Sequence, residues 1–453
     1  MTGTRLARLR QLASAEPGPK TYRWALLVLL IWGLALRLNA AWLFNLGRPN
    51  GPGRLIGDEP NYNDLALGLL HWHRFDWEGR VPLYPAWLAF VHWVTGESYQ
   101  AVPYAQAILS LATIALTALL TRRLFGRAAA LLAAFAAAVC YVLVWQPVHF
   151  LSEVLYTPAL LLAVLTLHRA LERPSPRSFT GAGVVLALAN YVRPTLVFFP
   201  LVAWVAVALR GTTRPARLGV VYAVAALAVM APWLIRNYVR VHAWFPLTYS
   251  NAILWQGSPE YYHLVRDSGY TYIRVWKEKI YPPNWREHDP MSVQGDRYWT
   301  ARALRSIRAE PLTYLRYAAE KTVTYWVGDP EADWGGRHVF SYNGLVAHGY
   351  RRRSAIQLTF WRGAIFVALA SMWVLRRRWR ELLAIYAVMV YCTLLHAATH
   401  AEARLSEPLL PLLLTLIAGA FIAVLRGSST DVHDLLVGAP ANGPENSLSG
   451  QGC

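Results

Sequence analysis

Apolar residues in this chain fall into long blocks and not into the short alternation of half-buried strands. Trp24 to Leu36, Ala107 to Leu120 and Pro408 to Leu425 carry almost no charge. Each runs for roughly 13 to 20 residues, the length scale of a helix that crosses a bilayer. Lys and Arg gather in the gaps between blocks. Arg5, Arg8, Arg10, Lys20 and Arg23 precede the first block, and Arg122, Arg123 and Arg127 divide two others. Residues 169–177, 210–217 and 376–380 repeat the pattern. Short basic gaps mark the cytoplasmic side of a membrane protein.

That rule fixes an expected path. The chain starts inside, crosses at 24–45, leaves 46–100 outside and returns at 101–121, so that the basic turn 122–127 lies inside. Pro82 to Val94 is then an interfacial amphipathic helix, a depth that suits Trp87, His92 and Trp93. Crossings follow at 128–146 and 152–170. Residues 178–210 begin and end at basic gaps and must form a hairpin, broken near Asn190–Pro194 because proline disfavours helix at the residue before it. A crossing at 216–236 leads to an outer segment, 237–357, and crossings at 358–375, 381–398 and 408–426 complete the path.

The expected fold is an all-α polytopic membrane protein, a bundle of about ten transmembrane helices. Interfacial helices lie in its first outer loop, and a small extracytoplasmic cap completes it. The expected divisions are a basic cytoplasmic N-terminus (1–23), a transmembrane module (24–236) containing the outer loop 46–100, a cap loop (237–357), C-terminal transmembrane helices (358–426) and a polar tail (427–453). Within the cap, Asp296 to Glu310 reads as a surface helix. The tail is rich in Gly, Ser, Asn and Pro and is expected to be disordered. The first block is too long for a cleaved secretory leader and reads as a retained anchor. No internal repeat is visible.

Composition agrees with a membrane environment: 55% of the residues are hydrophobic and 15% charged. The net charge of +18 would point to nucleic acid only if it gathered on one groove or arm, and here it is spent on topology. Three cysteines, two of them (Cys140 and Cys392) inside apolar blocks, form neither a disulfide framework nor a zinc spacing. The twenty tryptophans belong mainly to the interfacial belts.

Against this background a few polar residues stand out. Asp58 and Glu59 follow the Gly51-Pro52-Gly53 turn and open a helical run. Asp58 reads either as a helix N-cap with Pro60 in the first turn or, with Glu59, as an acid pair able to act as a general base. Arg80, Arg193, Arg236 and Arg404 lie on the outer side close to helix ends, where topology does not call for arginine. Convergence on one face would suit a lipid phosphate, which guanidinium groups bind well. Glu153, behind Ser152, either complements a helix dipole or is a second acid on that face. Arg37 and Asn39 interrupt the first crossing and are expected to bridge inner helices. His71 and His73 diverge on either a strand or a helix, so no metal site is read there. The Arg351–Arg353 run reads as a headgroup contact.

The segment Gly57-Asp58-Glu59-Pro60-Asn61-Tyr62, with Arg80-Val81-Pro82-Leu83-Tyr84-Pro85 after it, resembles the first extracytoplasmic loop of glycosyltransferase family 39. That GT-C-fold family includes protein O-mannosyltransferases and lipid A aminoarabinose transferases. Ser152-Glu153, Arg193-Pro194, Pro232 to Asn237 and Glu402-Ala403-Arg404 match in order along the chain. The resemblance implies an inverting transfer from a polyprenyl-phosphate sugar donor to a glycan, lipid or protein acceptor, at the outer face of a plasma membrane of bacterial type. It makes Asp58 the base, Glu59 its support or an acceptor contact, Glu153 the second acid and Arg80 a cation near the phosphate, with Arg193, Arg236 and Arg404 as further candidates for holding the phosphate leaving group. Tyr62, Tyr84 and Glu402, inside the matching motifs, are its candidates for substrate contact. No cofactor is required by this chemistry, although a carboxylate-bound divalent cation is compatible with it.

The sequence departs from the family in lacking a sizeable soluble C-terminal domain and a large inserted luminal module, so the acceptor stays unnamed. Two readings from other classes compete: a transporter or flippase of lipid-linked glycans, and a glycan polymerase or ligase. A transporter would be expected to show paired, broken halves, and a polymerase would not need the acid pair of the first loop. A passive scaffold leaves Arg37, Arg193 and Arg236 unexplained, since charge near the bilayer interior is costly.

Overall fold

The computed structural model describes residues 16–76, 79–244, 252–268, 275–280, 288–327 and 362–427. Arg351–Arg353, Cys453 and the polar tail beyond Gly427 lie outside these residues, as does the N-terminal segment that carries Arg5, Arg8 and Arg10. The regular secondary structure of the described residues is all helical. Its elements are α1 (Pro19–Asn45), α2 (Glu59–Trp72), α3 (Leu83–Thr95), α4 (Ala101–Leu109), α5 (Leu111–Val139), α6 (Tyr141–Trp145), α7 (Glu153–Glu172), α8 (Pro176–Val192), α9 (Phe199–Leu209), α10 (Pro215–Val241), α11 (Ile253–Gln256), α12 (Pro259–Arg266), α13 (Val293–Ala309), α14 (Pro311–Val327), α15 (Arg362–Val374), α16 (Leu383–Ala398) and α17 (Leu410–Arg426).

Five stretches among the described residues are long and apolar enough to cross a membrane: Pro19–Asn45, Ala101–Val139, Glu153–Glu172, Pro215–Val241 and Ala403–Arg426. With the shorter apolar helices α9, α15 and α16, they make this an integral membrane protein. The stretch 101–139 is two crossings, because Gly126 breaks α5 with φ 88° and ψ −177°. A Cβ on Gly33 of α1 would meet both Ile114 and Ala138. Those two residues lie equally far on either side of Gly126, so the chain must fold back there.

Helix ends rich in basic residues share one face. Arg123 pairs with Glu172 at 2.7 Å and Arg426 with Glu16 at 2.6 Å, while the Arg127 amide donates to Glu16 and Arg378 donates to the Leu124 carbonyl at 2.8 Å. The basic gaps of the sequence are therefore brought together. Arg37 bridges inner helices as expected: fully buried, it donates to the carbonyls of Gly33, Ala137 and Ala138 at 3.0–3.1 Å. It thus supplies the donors that α5 lacks at its end, where Cys140 leaves helical geometry.

The α8–α9 hairpin turns at Arg193, which is extended (φ −155°, ψ 120°) before Pro194. Asn190 closes the turn by accepting from the Leu196 amide at 3.0 Å, and Tyr391 of α16 donates to the Thr195 carbonyl at 2.8 Å. α9 has 11 residues. At about 1.5 Å per residue it spans about 17 Å, short of the ~30 Å hydrocarbon core, which sets the turn inside the bundle.

The helix expected at the interface is α3, which exposes Phe90, Trp93 and Val94 but buries His92 completely, its Nε2 2.9 Å from Asn63 Oδ1. In the cap, the surface helix expected at 296–310 is α13. Beside it stands α14, which the sequence reading did not foresee. Ala252, Trp255, Tyr261, Trp299 and Ala303 form a small core of the cap's own.

Gly126→Ala should lower the stability of the folded protein by about 2 kcal/mol, because its backbone lies in a region open essentially to glycine and an added Cβ would meet the Glu16 carboxylate. Gly181→Ala, with open space around it on α8, should leave stability unchanged or raise it slightly. Thermal unfolding of both variants in detergent is the check.

Candidate active site

At the face opposite the basic ends, four segments meet: the start of α2, the loop before α3, the start of α7 with the α8–α9 turn, and residues 399–409. Asp58 occupies the N-cap position of α2 but makes no side-chain capping bond. Its carboxylate turns away from its own helix. Oδ1 lies 2.9 Å from Arg80 Nη2 and Oδ2 lies 3.9 Å from Arg404 Nη2, with the side chain 37% exposed. Of the two roles open to Asp58 in the sequence, capping is the one the geometry does not use.

Arg404 is where the cluster joins. Besides Asp58 it faces Glu153 Oε1 at 4.0 Å through Nε and Glu402 Oε2 at 3.5 Å through Nη2. Glu153 is the first residue of α7, and Ser152 makes no capping bond there either. Its buried carboxylate pairs instead with Arg193 Nη1 at 2.9 Å, linking α7 to the hairpin turn. Each arginine of the cluster therefore faces a carboxylate, and an incoming anion has to compete with one of them.

Glu402 lies between α16 and the apolar stretch that begins at Ala403. Burial opposes its charge. The His400 hydrogen bond at 2.8 Å and the Arg404 guanidinium more than offset this, and its pKa falls to about 2. Tyr62 completes the rim: Arg80 stands 5.0 Å over its ring and its hydroxyl donates to Ser152 at 3.2 Å.

The structure separates the acid pair of the first loop. Glu59 is buried and faces the other way, accepting from the Ile56 amide at 3.0 Å and the Phe150 amide at 3.3 Å, with His149 Nδ1 at 3.0 Å. It ties the Asp58 turn to the 146–150 loop. Tyr84, expected to contact substrate, is fully buried, with its ring edge-on to Tyr62 and its hydroxyl donating to Gln106 at 2.8 Å. It supports Tyr62 from behind. Arg236 donates to the Phe75 carbonyl and, at 2.7 Å, to Asn237, and stands over the Phe75 and Trp233 rings. Its place is beside the loop after α2.

Sequence reasoning missed His149, His400 and Glu407. Glu407 borders the cluster, acting electrostatically on Glu153, Arg404 and Arg193, with Gln146 as a hydrogen-bond partner. The one available signal was the spacing His400-Ala401-Glu402. Among the described residues no three His, Cys, Asp or Glu side chains are grouped to hold a metal ion. A groove on the cap, lined by Glu260, His263, Arg302 and Glu310, shares no residue with the cluster, and its charges pair among themselves.

Residues 80–235, about a third of the chain, match a family model described as dolichyl-phosphate-mannose-protein mannosyltransferase. No curated protein matches the chain. Among solved structures it is similar to the crystal structure of ArnT from Cupriavidus metallidurans bound to undecaprenyl phosphate. The identity is 16% over 88% of this chain and 78% of that one, with a TM-score of 0.39, too low to bear on the chemistry. The family match spans Arg80, Glu153 and Arg193 and supports the resemblance to glycosyltransferase family 39. The class it supports is a membrane glycosyltransferase.

Because the folded-state pKa of Glu402 is depressed, its charge contributes stability that is complete above about pH 4.5 and fades as pH falls toward 2. The gap in unfolding midpoint between the parent and Glu402→Gln should therefore be fully present at pH 5 and narrow below about pH 4. Melting curves across that range test this.

Proposed function

We propose that the protein is an inverting glycosyltransferase that moves a sugar from a polyprenyl-phosphate donor to an acceptor hydroxyl or amine at the extracytoplasmic face of a plasma membrane. The observation that carries this reading is the placement of Asp58. It stands at the N-cap of α2 without making a capping bond, stays partly exposed, and sits between Arg80 and Arg404.

The chemistry follows from charge. The bond from the anomeric carbon to the phosphate oxygen breaks, and a bond from that carbon to the acceptor forms on the opposite face. The acceptor proton passes to Asp58, and polyprenyl phosphate leaves with the bonding pair. A phosphate leaving group needs its growing charge met by fixed donors, which Arg404 and Arg80 supply at the mouth and Arg193 supplies deeper in the bundle. When phosphate takes the N–H groups that now hold Asp58, the carboxylate is released to act as a base. Glu153 and Glu402 keep Arg193 and Arg404 aimed, so neither arginine has to reorganise during the reaction. Tyr62, beneath Arg80, shapes the donor's seat, and Glu59 holds the Asp58 turn in place. The scheme routes no step through a metal or cofactor.

The test is reconstitution of the purified protein with a panel of polyprenyl-phosphate sugars and membrane extract, with lipids followed by mass spectrometry. The parent should release free polyprenyl phosphate. Asp58→Asn should lower turnover by about 10²–10⁴-fold while still binding donor, and Arg404→Gln should weaken both binding and turnover. If Asp58→Asn turns over at the parental rate, Asp58 is not the base. If the donor crosses the vesicle membrane intact, the protein is a transporter.

A further inference from the structure

One helix of the cap holds the backbone that carries Arg404. α16 ends at Ala398, and Thr399 leaves helical geometry (φ −113°, ψ −118°). The carbonyls at such a helix end need donors from elsewhere. α14 supplies donors from one face, Tyr314 and Lys321 to that helix end and Tyr325 to the backbone beyond it, at positions whose spacings of seven and four residues align along a helix. Tyr314 donates to the Ala398 carbonyl at 2.8 Å, Lys321 to the Thr399 carbonyl at 2.7 Å, and Tyr325 to the Leu405 carbonyl at 3.3 Å. These acceptors bracket the segment 400–404 on both sides.

The hold is close-fitting. Lys321 is buried and also donates to the Gly257 carbonyl at 3.0 Å, with the Tyr317 ring 4.6 Å from its ammonium nitrogen. A Cβ on Gly257 would lie 2.2 Å from the Thr399 carbonyl oxygen, so only glycine lets the cap come this near. The Tyr325 ring stacks on His396 at 4.8 Å. From there a polar chain reaches the cluster: His396 Nδ1 lies 3.0 Å from the His400 carbonyl, His400 Nε2 lies 2.8 Å from Glu402, and Glu402 lies 3.5 Å from Arg404.

We propose that α14 is a positioning element for the reaction, with Lys321 and Tyr325 fixing the 398–405 segment so that Glu402 and Arg404 face Asp58 and Glu153. Lys321 touches neither substrate nor the reacting atoms; it acts through Arg404. This inference rests on the proposed function, since it takes Arg404 as a phosphate ligand. It makes the cap part of the donor site and not only a cover over it.

A mutant cycle in the full-length protein, read by polyprenyl-phosphate binding and by KM and kcat for donor, provides the test. Lys321→Met should weaken binding roughly tenfold or more, as expected when a ligand-holding group shifts by a fraction of its reach. The Lys321→Met/Arg404→Gln double variant should bind no worse than Arg404→Gln alone, because the lysine acts through that arginine. Trp299→Phe, which loosens the cap's own core, should leave binding as it is. Equal losses in Lys321→Met and Trp299→Phe would overturn the inference by showing general cap destabilisation. Multiplying losses in the double variant would overturn it too. A parent that binds no polyprenyl phosphate, or an Arg404→Gln variant that binds it normally, would sink the proposed function and this inference together, and is seen before the Lys321 comparison.

Discussion

The site is organised around one guanidinium. Arg404 faces Asp58, Glu153 and Glu402 within 4.0 Å, and these three carboxylates belong to segments far apart in the chain. Ion pairs of this kind do not by themselves make a protein stable, because removing charge from water costs about as much as the pairing returns. What they impose is geometry. Asp58 can stand free of its own helix only because Arg80 and Arg404 receive it, and Glu153 can be buried at the start of α7 only because Arg193 and Arg404 meet it. The placement of α2, α7, the α8–α9 turn and the 399–409 segment is thus one problem with a shared solution.

Getting those segments together relies on places where helices stop early. Gly126 folds α5 back, Arg193-Pro194 ends α8 inside the bundle, and Thr399 ends α16 beneath the cap. Each break leaves backbone groups without helical partners, and each is met by a side chain from elsewhere: Arg378 and Glu16 beside Gly126, Asn190 and Tyr391 at the hairpin turn, and Tyr314 and Lys321 at the end of α16. In a membrane such groups cannot be left to water, which is why irregular backbone occurs where protein covers it.

Much of this was legible in the chain itself. Block length and basic gaps predicted most of the long apolar helices to within a few residues, because a bilayer sets helix length; the stretch expected to run to 146 ends instead at Val139, where Cys140 leaves helical geometry. Arginines 80, 193 and 404 were visible because a basic-gap topology had no use for them. The partners were harder to read. Asp58 and Glu59 are adjacent in sequence, yet consecutive positions at a helix start point about 100° apart, so one faces the arginines and the other faces His149. Tyr84 and Arg236 sat inside matching motifs, but a motif does not say which side of a helix is covered. His400, Glu407 and the donor face of α14 gave almost no signal, because their importance lies in carbonyls and carboxylates that only the folded chain brings near.

The most direct measurement is an experimental structure of the full-length protein with polyprenyl phosphate bound. The account predicts the phosphate within hydrogen-bond distance of Arg404, about 3 Å, with the Asp58 carboxylate released from at least one arginine and open to the acceptor side. A phosphate bound elsewhere, with Arg404 still joined to Asp58, Glu153 and Glu402 as in the free protein, would contradict it.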